Sequence, residues 1–138
     1  MKWQPKIQNK QGKDYIFCDW RRKYVRLTPE EWVRQHFLHY LVEEMLYPKM
    51  LIGVELQLQG RRADAVVYDK TMLPWMLIEF KADTVSLSQQ TWDQAAAYNR
   101  QLNVKWWVIS NGRNTLIARN DKERIETREQ LPRYGQSD

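Results

Sequence analysis

The chain has 138 residues, 43% of them apolar, including seven Trp, seven Tyr and three Phe, enough to fill one compact core. Its single cysteine, Cys18, excludes an intramolecular disulfide and a multi-cysteine zinc cluster, which suits a reducing, cytoplasmic setting. The opening "MKWQPKIQNKQGK" lacks the apolar centre of a secretory signal, and Leu73–Ile78 is too short to span a bilayer, so no membrane partner is expected.

The net charge of +5 is unevenly placed. Residues 1–34 carry nine basic and four acidic side chains, and the remainder carries thirteen of each. The excess therefore belongs to a basic aromatic N-terminal segment of about residues 1–26. There Trp3, Tyr15, Phe17, Trp20 and Tyr24 interleave with Arg21, Arg22 and the lysines. Such a segment suits a surface that tracks phosphates and stacks on bases, or a solvated leader whose rings pack on the domain.

"LTPEEWVRQHFLHYLVEEML" reads as a helix to about Leu46, stopped by Pro48. Thr28 is the N-cap, Pro29 the first helical residue, and acids fill the first turn. Val33, Phe37, Leu38, Leu41, Val42 and Met45 make its apolar stripe. "MLIGVELQLQG" and "RRADAVVYDK" read as strands around a Gln59-Gly60 turn, and "PWMLIEFKA" as a third strand. "SLSQQTWDQAAAYNRQLN" returns to helix, capped by Ser86 or Ser88. "VKWWVIS" and "TLIARN" form a hairpin around "NGRN". From Asp121 the charges alternate without an apolar face, so residues 121–138 are expected as a helix or a frayed tail. The order is αβββαβ, and the expected fold is an α/β sandwich, a central mixed sheet flanked by helices, in a single domain.

Chemistry concentrates on the second and third strands. If Asp69 pairs with Pro74, cross-strand partners sum to 143. Tyr68 then faces Trp75, Val66 faces Leu77 and Asp64 faces Glu79, all on one face, with Lys81 next along it. Two carboxylates facing each other repel. A hard cation such as Mg²⁺, held by one or two carboxylates plus water and phosphate oxygens, relieves that repulsion. Lys81 is placed to orient a water or to stabilise charge on phosphorus. A strand-end Lys–Glu pair is the plain alternative, although Glu79-Phe80-Lys81 is the chain's one acid-x-Lys triplet.

Asp64, "LIEFKA" and the helix after Ser86 resemble the PD-(D/E)xK nuclease superfamily. More narrowly, "TPEEWVRQHFLHYLVE", "GRRADAVVYD", "PWMLIEFKA", "LSQQTWDQAAAYN" and "WWVISNG" resemble the N-terminal nuclease domain of type I restriction enzyme R proteins, in a short stand-alone form. The likeness covers about Arg26 to Gly112, and Ala63 replaces the superfamily's Pro. It implies a restriction-endonuclease-like core and Mg²⁺-dependent hydrolysis of DNA phosphodiester bonds, with Mn²⁺ as a substitute ion. Asp64, Glu79 and the Phe80 backbone carbonyl would be metal ligands and Lys81 the catalytic lysine. The implied partners are DNA, other restriction-system subunits or a separate motor, and a second copy of the chain.

Gln94 and Tyr98 share a helix face in the Gln-x-x-x-Tyr spacing of exonuclease-like members. Gln94 is read as a site residue, with Gln90 extending its face, and Tyr98 as a nucleic-acid contact or half-buried core. Glu31 has two readings, a first-helix site carboxylate that the resemblance implies or a capping-box acid folded onto the Thr28 amide. Glu31 is placed ahead of Glu30. Arg61 and Arg62 are read as phosphate contacts or solvated turn arginines. His36 and His39 are read as surface or half-buried helix residues rather than zinc ligands, and Ser88 and Ser110 have no His–acid partner of the kind a nucleophile needs. With no Gly-x-x-x-x-Gly-Lys-[Ser/Thr] loop, ATP-driven motion has to come from elsewhere. The competing function is a non-catalytic nucleic-acid-binding or assembly module that retains the fold; action on RNA is a third.

Overall fold

The computed structural model describes residues 1–121 and 123–136, without the side chains of Tyr98 and Gln101. Its elements in chain order are β1 (Ile7–Lys10), β2 (Lys13–Cys18), β3 (Lys23–Arg26), α1 (Pro29–Glu43), β4 (Ile52–Leu58), β5 (Arg61–Tyr68), β6 (Pro74–Phe80), α2 (Gln89–Asn99), β7 (Trp106–Ser110), β8 (Thr115–Asp121) and β9 (Arg124–Arg128). Strands β4 to β9 form one six-stranded sheet in chain order, and β1 to β3 a separate antiparallel sheet. Among the described residues only β6 and β7 pair in parallel, joined by the crossover through α2; the other neighbours in the large sheet are antiparallel. The fold is therefore mixed α/β, as the alternating segments lead one to expect.

Each helix covers one face of the large sheet. Val33, Leu38 and Leu41 of α1 pack with Val67, Met76, Ile78 and Trp106. Ala96 of α2 and the nearby Leu102 pack with Val66, Leu77 and Trp107 on the opposite face. Because β6 and β7 are covered on both sides, they read as continuous apolar runs. Thr28 caps α1 by accepting from the Glu31 amide, and Pro29 takes a position that donates no intrahelical bond. The helix ends at Glu43, earlier than its stripe suggests; Leu46 has left the helix with φ of 60° and stands exposed. Ser88 caps α2 in a reciprocal box with Thr91. The Gln59-Gly60 turn takes positive φ at both residues, the geometry that matches strand twist in a two-residue hairpin.

Two segments differ from expectation. The basic N-terminal segment is a sheet whose Ile16 and Cys18 are fully buried, rather than a loose leader. The tail expected as helix or frayed chain supplies the edge strand β9. Beyond it, the Tyr47 hydroxyl donates to the Pro132 carbonyl and Trp106 Nε1 donates to the Gln136 carbonyl, so the following residues also pack. Among the described residues no helix is long and apolar enough to cross a membrane.

Candidate active site

The pairing of β5 with β6 fixes the site. Ala65 faces Ile78, Val66 faces Leu77 and Val67 faces Met76, all summing to 143. The register then slips at a bulge, and Tyr68 faces Pro74 instead of Trp75. That slip corrects the expected Tyr68–Trp75 pair. Trp75 turns to the α1 side beside Tyr47 and Trp106, while Tyr68 packs on the α2 side. The cause lies in the loop, where Asp69 Oδ1 accepts from the amides of Thr71 and Leu73 and shortens the connection.

Toward the other end the sum of 143 holds as far as Ala65 and Ile78, and the expected Asp64–Glu79 pair does not follow in the ladder. Val66 and Leu77 lie on the α2 face, and beyond them Asp64 and Glu79 line one cleft with Thr91, Gln94 and Ala95 of α2. The ladder stops there. Lys81 donates its amide to Ser110 of β7, so by strand alternation the Phe80 amide points toward β5. It meets Oδ2 of Asp64 at 2.8 Å instead of a ladder carbonyl. Asp64 thus stands at the point where the two strands part.

The opening is a cleft of about 720 Å³ lined by Asp64, Glu79, Lys81, Gln94, Arg62 and Glu30, among others. Burial pushes the Glu79 carboxyl above its ordinary range and the charge of Asp64 pushes it further, against the pull of Lys81 and Arg61. Like charge is therefore concentrated where the sequence places it. A second groove, about 930 Å³, lies beside α1 and the β7–β8 turn and contains neither carboxylate.

The remaining site residues fall into three groups. Gln94 reaches the cleft together with Thr91 and Ala95, whereas Gln90 is not part of its lining. Arg62 lines the cleft while pairing with Glu55 Oε2, and Arg61 stands close enough to act on Glu79. Glu31 and Arg21 turn away from solvent. Glu31 is 4% exposed, accepting from Arg21 Nη2 at 2.5 Å, Arg34 Nη2 at 3.1 Å and Gln35 Nε2 at 2.9 Å. These partners occupy the carboxylate that the capping-box reading would fold onto Thr28. Glu30, its neighbour, is the first-helix acid that lines the cleft. Arg21 also contacts Cys18 Sγ and is half-buried, whereas Arg22 is exposed. The Tyr98 side chain lies outside the described residues.

His39 is buried, stacked on Trp3 with Nε2 3.3 Å from Asp19 Oδ2, and His36 packs on Trp3 and Trp32. Among the described residues no group of three or more His, Cys, Asp or Glu is disposed to hold a metal ion. The sequence reading missed Arg34 and Glu55, which join Glu31 in a buried charge cluster. One signal was present: Glu31, Arg34 and Gln35 have the three- and four-residue spacing of one helix face.

A family model described as the type I restriction enzyme R protein N terminus matches residues 29–132. The chain belongs to that family. The type I R protein N-terminal match begins at Pro29, so α1 and the whole six-stranded sheet lie inside it and β1–β3 lie outside. It places the protein in a restriction-related setting. No curated protein matches the chain.

Proposed function

We propose that this R-protein family member is a metal-dependent deoxyribonuclease with a restriction-endonuclease-like core of the PD-(D/E)xK type. The observation that carries the reading is the pair Asp64 and Glu79, set on adjacent strands at one cleft, with Glu79 raised by burial and by Asp64. Two carboxylates and the Phe80 carbonyl are hard oxygen donors. So small a set fits Mg²⁺, or Mn²⁺ in its place, which keeps waters and substrate phosphate oxygens among its ligands. Such an ion polarises a phosphoryl oxygen and lowers the pKa of bound water.

The protein's own groups do the rest. Asp64 is held in place by the Phe80 amide, so its second oxygen is directed without a rotamer search. Lys81 presents an ammonium to the attacking water and to charge developing on the phosphoryl oxygens. Gln94 offers an amide from the α2 side, and Arg62 and Arg22 supply cations for flanking phosphates. The partners of this reading are DNA and the other subunits of a restriction system. In the test, linear and single-stranded DNA are incubated with Mg²⁺ and the wild type, Asp64→Ala or Lys81→Ala. Cleavage by the wild type alone is expected, and equal cleavage by all three would sink the reading.

A non-catalytic assembly module draws on the same cleft, because Glu30 lines it without joining Asp64 and Glu79 in a group disposed to hold a metal ion. DNA binding unchanged by Mn²⁺ and by Glu79→Ala would favour it.

A further inference from the structure

The β4–β5 ladder is interrupted at one place. Val54 faces Ala65 and Leu56 faces Ala63, yet Glu55 and Asp64 between them do not pair. Glu55 has φ of 54°, a left-handed conformation that costs a non-glycine residue about 1 kcal/mol or more. Both strands turn over there. Ile52 and Val54 pack on the α1 side and Leu56 and Leu58 on the α2 side; across the gap Ala65 packs on the α1 side and Ala63 on the α2 side. The turn swings Leu56 beneath Gly53, where a Cβ would lie 2.4 Å from Leu56 Cδ1.

The side chain of Arg34, from α1, fills the gap in the ladder. Its Nη1 donates to the Asp64 carbonyl at 3.0 Å, and its Nη2 binds Glu31 Oε1 at 3.1 Å and Glu55 Oε1 at 2.8 Å. Arg34 Nε is buried without a partner. Arg21 then reaches Glu31 from the β2–β3 turn. A strained glutamate, an orphaned donor and several buried charges are a poor way to gain stability, since such pairs commonly do no better than apolar packing. Strain of this kind gathers where geometry has to be held.

We propose that Arg34 is a positioning residue for Asp64, aimed by Glu31 and Glu55, and that the N-terminal sheet completes the site through Arg21. A guanidinium anchored through Nη2 can present Nη1 in only one direction, which fixes the Asp64 backbone and hence its carboxylate over Phe80. The proposal rests on the nuclease reading for its purpose, but not for its test. The sheet that carries Arg21 lies outside the matched segment, so the matched family region alone would hold Asp64 less firmly.

The test uses the full chain with Arg34→Lys, which keeps the charge but cannot reach both Glu residues and the carbonyl. Amide exchange by NMR is measured at Phe80, whose hydrogen bond reports the Asp64 carboxylate, and at Val66 and Leu77 as controls. Phe80 exchange is expected to rise at least tenfold with the controls unchanged. Calorimetric Mn²⁺ affinity is expected to fall about 10-fold or more, the usual cost of losing a group behind a metal ligand. Arg21→Gln, which leaves Arg34 in place, gives a smaller change of the same kind and serves if Arg34→Lys does not fold. Phe80 protection unchanged, or lost uniformly along β5 and β6, would overturn the proposal. If the wild type neither binds Mn²⁺ nor cleaves DNA, the nuclease reading falls, and Phe80 exchange still decides the positioning role.

Discussion

The main-chain amide of Phe80 donates to the Asp64 carboxylate at 2.8 Å, so a side chain completes the hydrogen bonding of a strand end. Asp64 therefore has two duties that substitution can separate. Asn keeps an oxygen for the Phe80 amide and removes the charge, whereas Ala removes both. Asp64→Asn is expected to melt within a few degrees of wild type, while Asp64→Ala loses about 1 kcal/mol more for the unsatisfied amide. Both should lose Mg²⁺-dependent cleavage. In Asp64→Asn the Glu79 pKa should drop, because the raising charge is gone and burial alone then opposes Lys81 and Arg61. Thermal melts and an NMR titration of Glu79 check this, and an unmoved Glu79 would show that the two carboxylates do not interact.

The first turn of α2 offers a different test of the cleft. Ser88 Oγ accepts from the Thr91 amide, and Thr91 Oγ1 accepts from the Ser88 amide. Gln94 stands less than two turns beyond this cap, and Thr91 itself lines the cleft. Ser88→Ala should cost about 1 kcal/mol in urea unfolding. It should also lower cleavage several-fold while leaving Mn²⁺ affinity intact, since neither carboxylate is touched. Equal loss of metal affinity would mean that α2 supports the ion site directly.

Much of this site is legible in the chain because strand periodicity is local. The sum of 143 follows from pairing Asp69 with Pro74, and the structure keeps it from Val67–Met76 to Ala65–Ile78, short of Asp64 and Glu79. It fails at Tyr68, where the Asp69 side chain rewrites the loop through hydrogen bonds that no hydrophobic pattern records. The N-terminal sheet was obscured by its exposure. All of β1 faces solvent, and in β2 only Ile16 and Cys18 are buried, a two-residue signal among lysines and aromatics. Edge strand β9 is concealed in the same way by Arg124, Glu126 and Arg128, whose charges pair with one another along the strand. Glu31 illustrates the harder limit. Its spacing from Thr28 fits a capping box, but Arg21, Arg34 and Gln35 outcompete the Thr28 amide, and Arg21 arrives from another sheet.

That cluster makes stability depend on pH in a defined direction. Burial works against ionised Glu31, but hydrogen bonds from Arg21 and Gln35 and the charges of Arg34 and Arg21 overcome it and hold its pKa below 4.5. Burial also opposes ionised Glu55, and Arg34 and Arg62 lower its pKa in the same way. A carboxylate with a depressed native pKa contributes stability that is complete above its unfolded value and is lost as pH falls through the native one. The contribution of Glu31 and Glu55 to urea midpoints should therefore be flat near neutrality and be lost below about pH 4.5. Glu31→Gln should cost about 3 kcal/mol at pH 7, because it leaves Arg21 and Arg34 short of a buried partner. Its acid slope should be shallower than that of wild type, since one of the responsible groups is gone. An unchanged slope would place the acid sensitivity elsewhere.

Tyr47 provides the control that separates folding from chemistry. Its ring packs edge-on against Trp75, near Tyr134, and its hydroxyl donates to the Pro132 carbonyl at 2.6 Å across 85 residues of sequence. Burial pushes the phenol well above its ordinary pKa, so it remains a donor at any working pH. Tyr134 in turn donates to the Tyr68 carbonyl, so the two hydroxyls together fasten the C-terminal segment to the sheet. Tyr47→Phe keeps the ring and deletes one bond, which should cost about 1 kcal/mol and speed proteolysis near Pro132. Neither residue lines the Asp64–Glu79 cleft, so cleavage per folded molecule should equal that of wild type. A parallel drop in activity would mean that stability alone limits turnover, and the losses expected of the Asp64 and Ser88 variants would then have to be read against melting temperature rather than as chemistry.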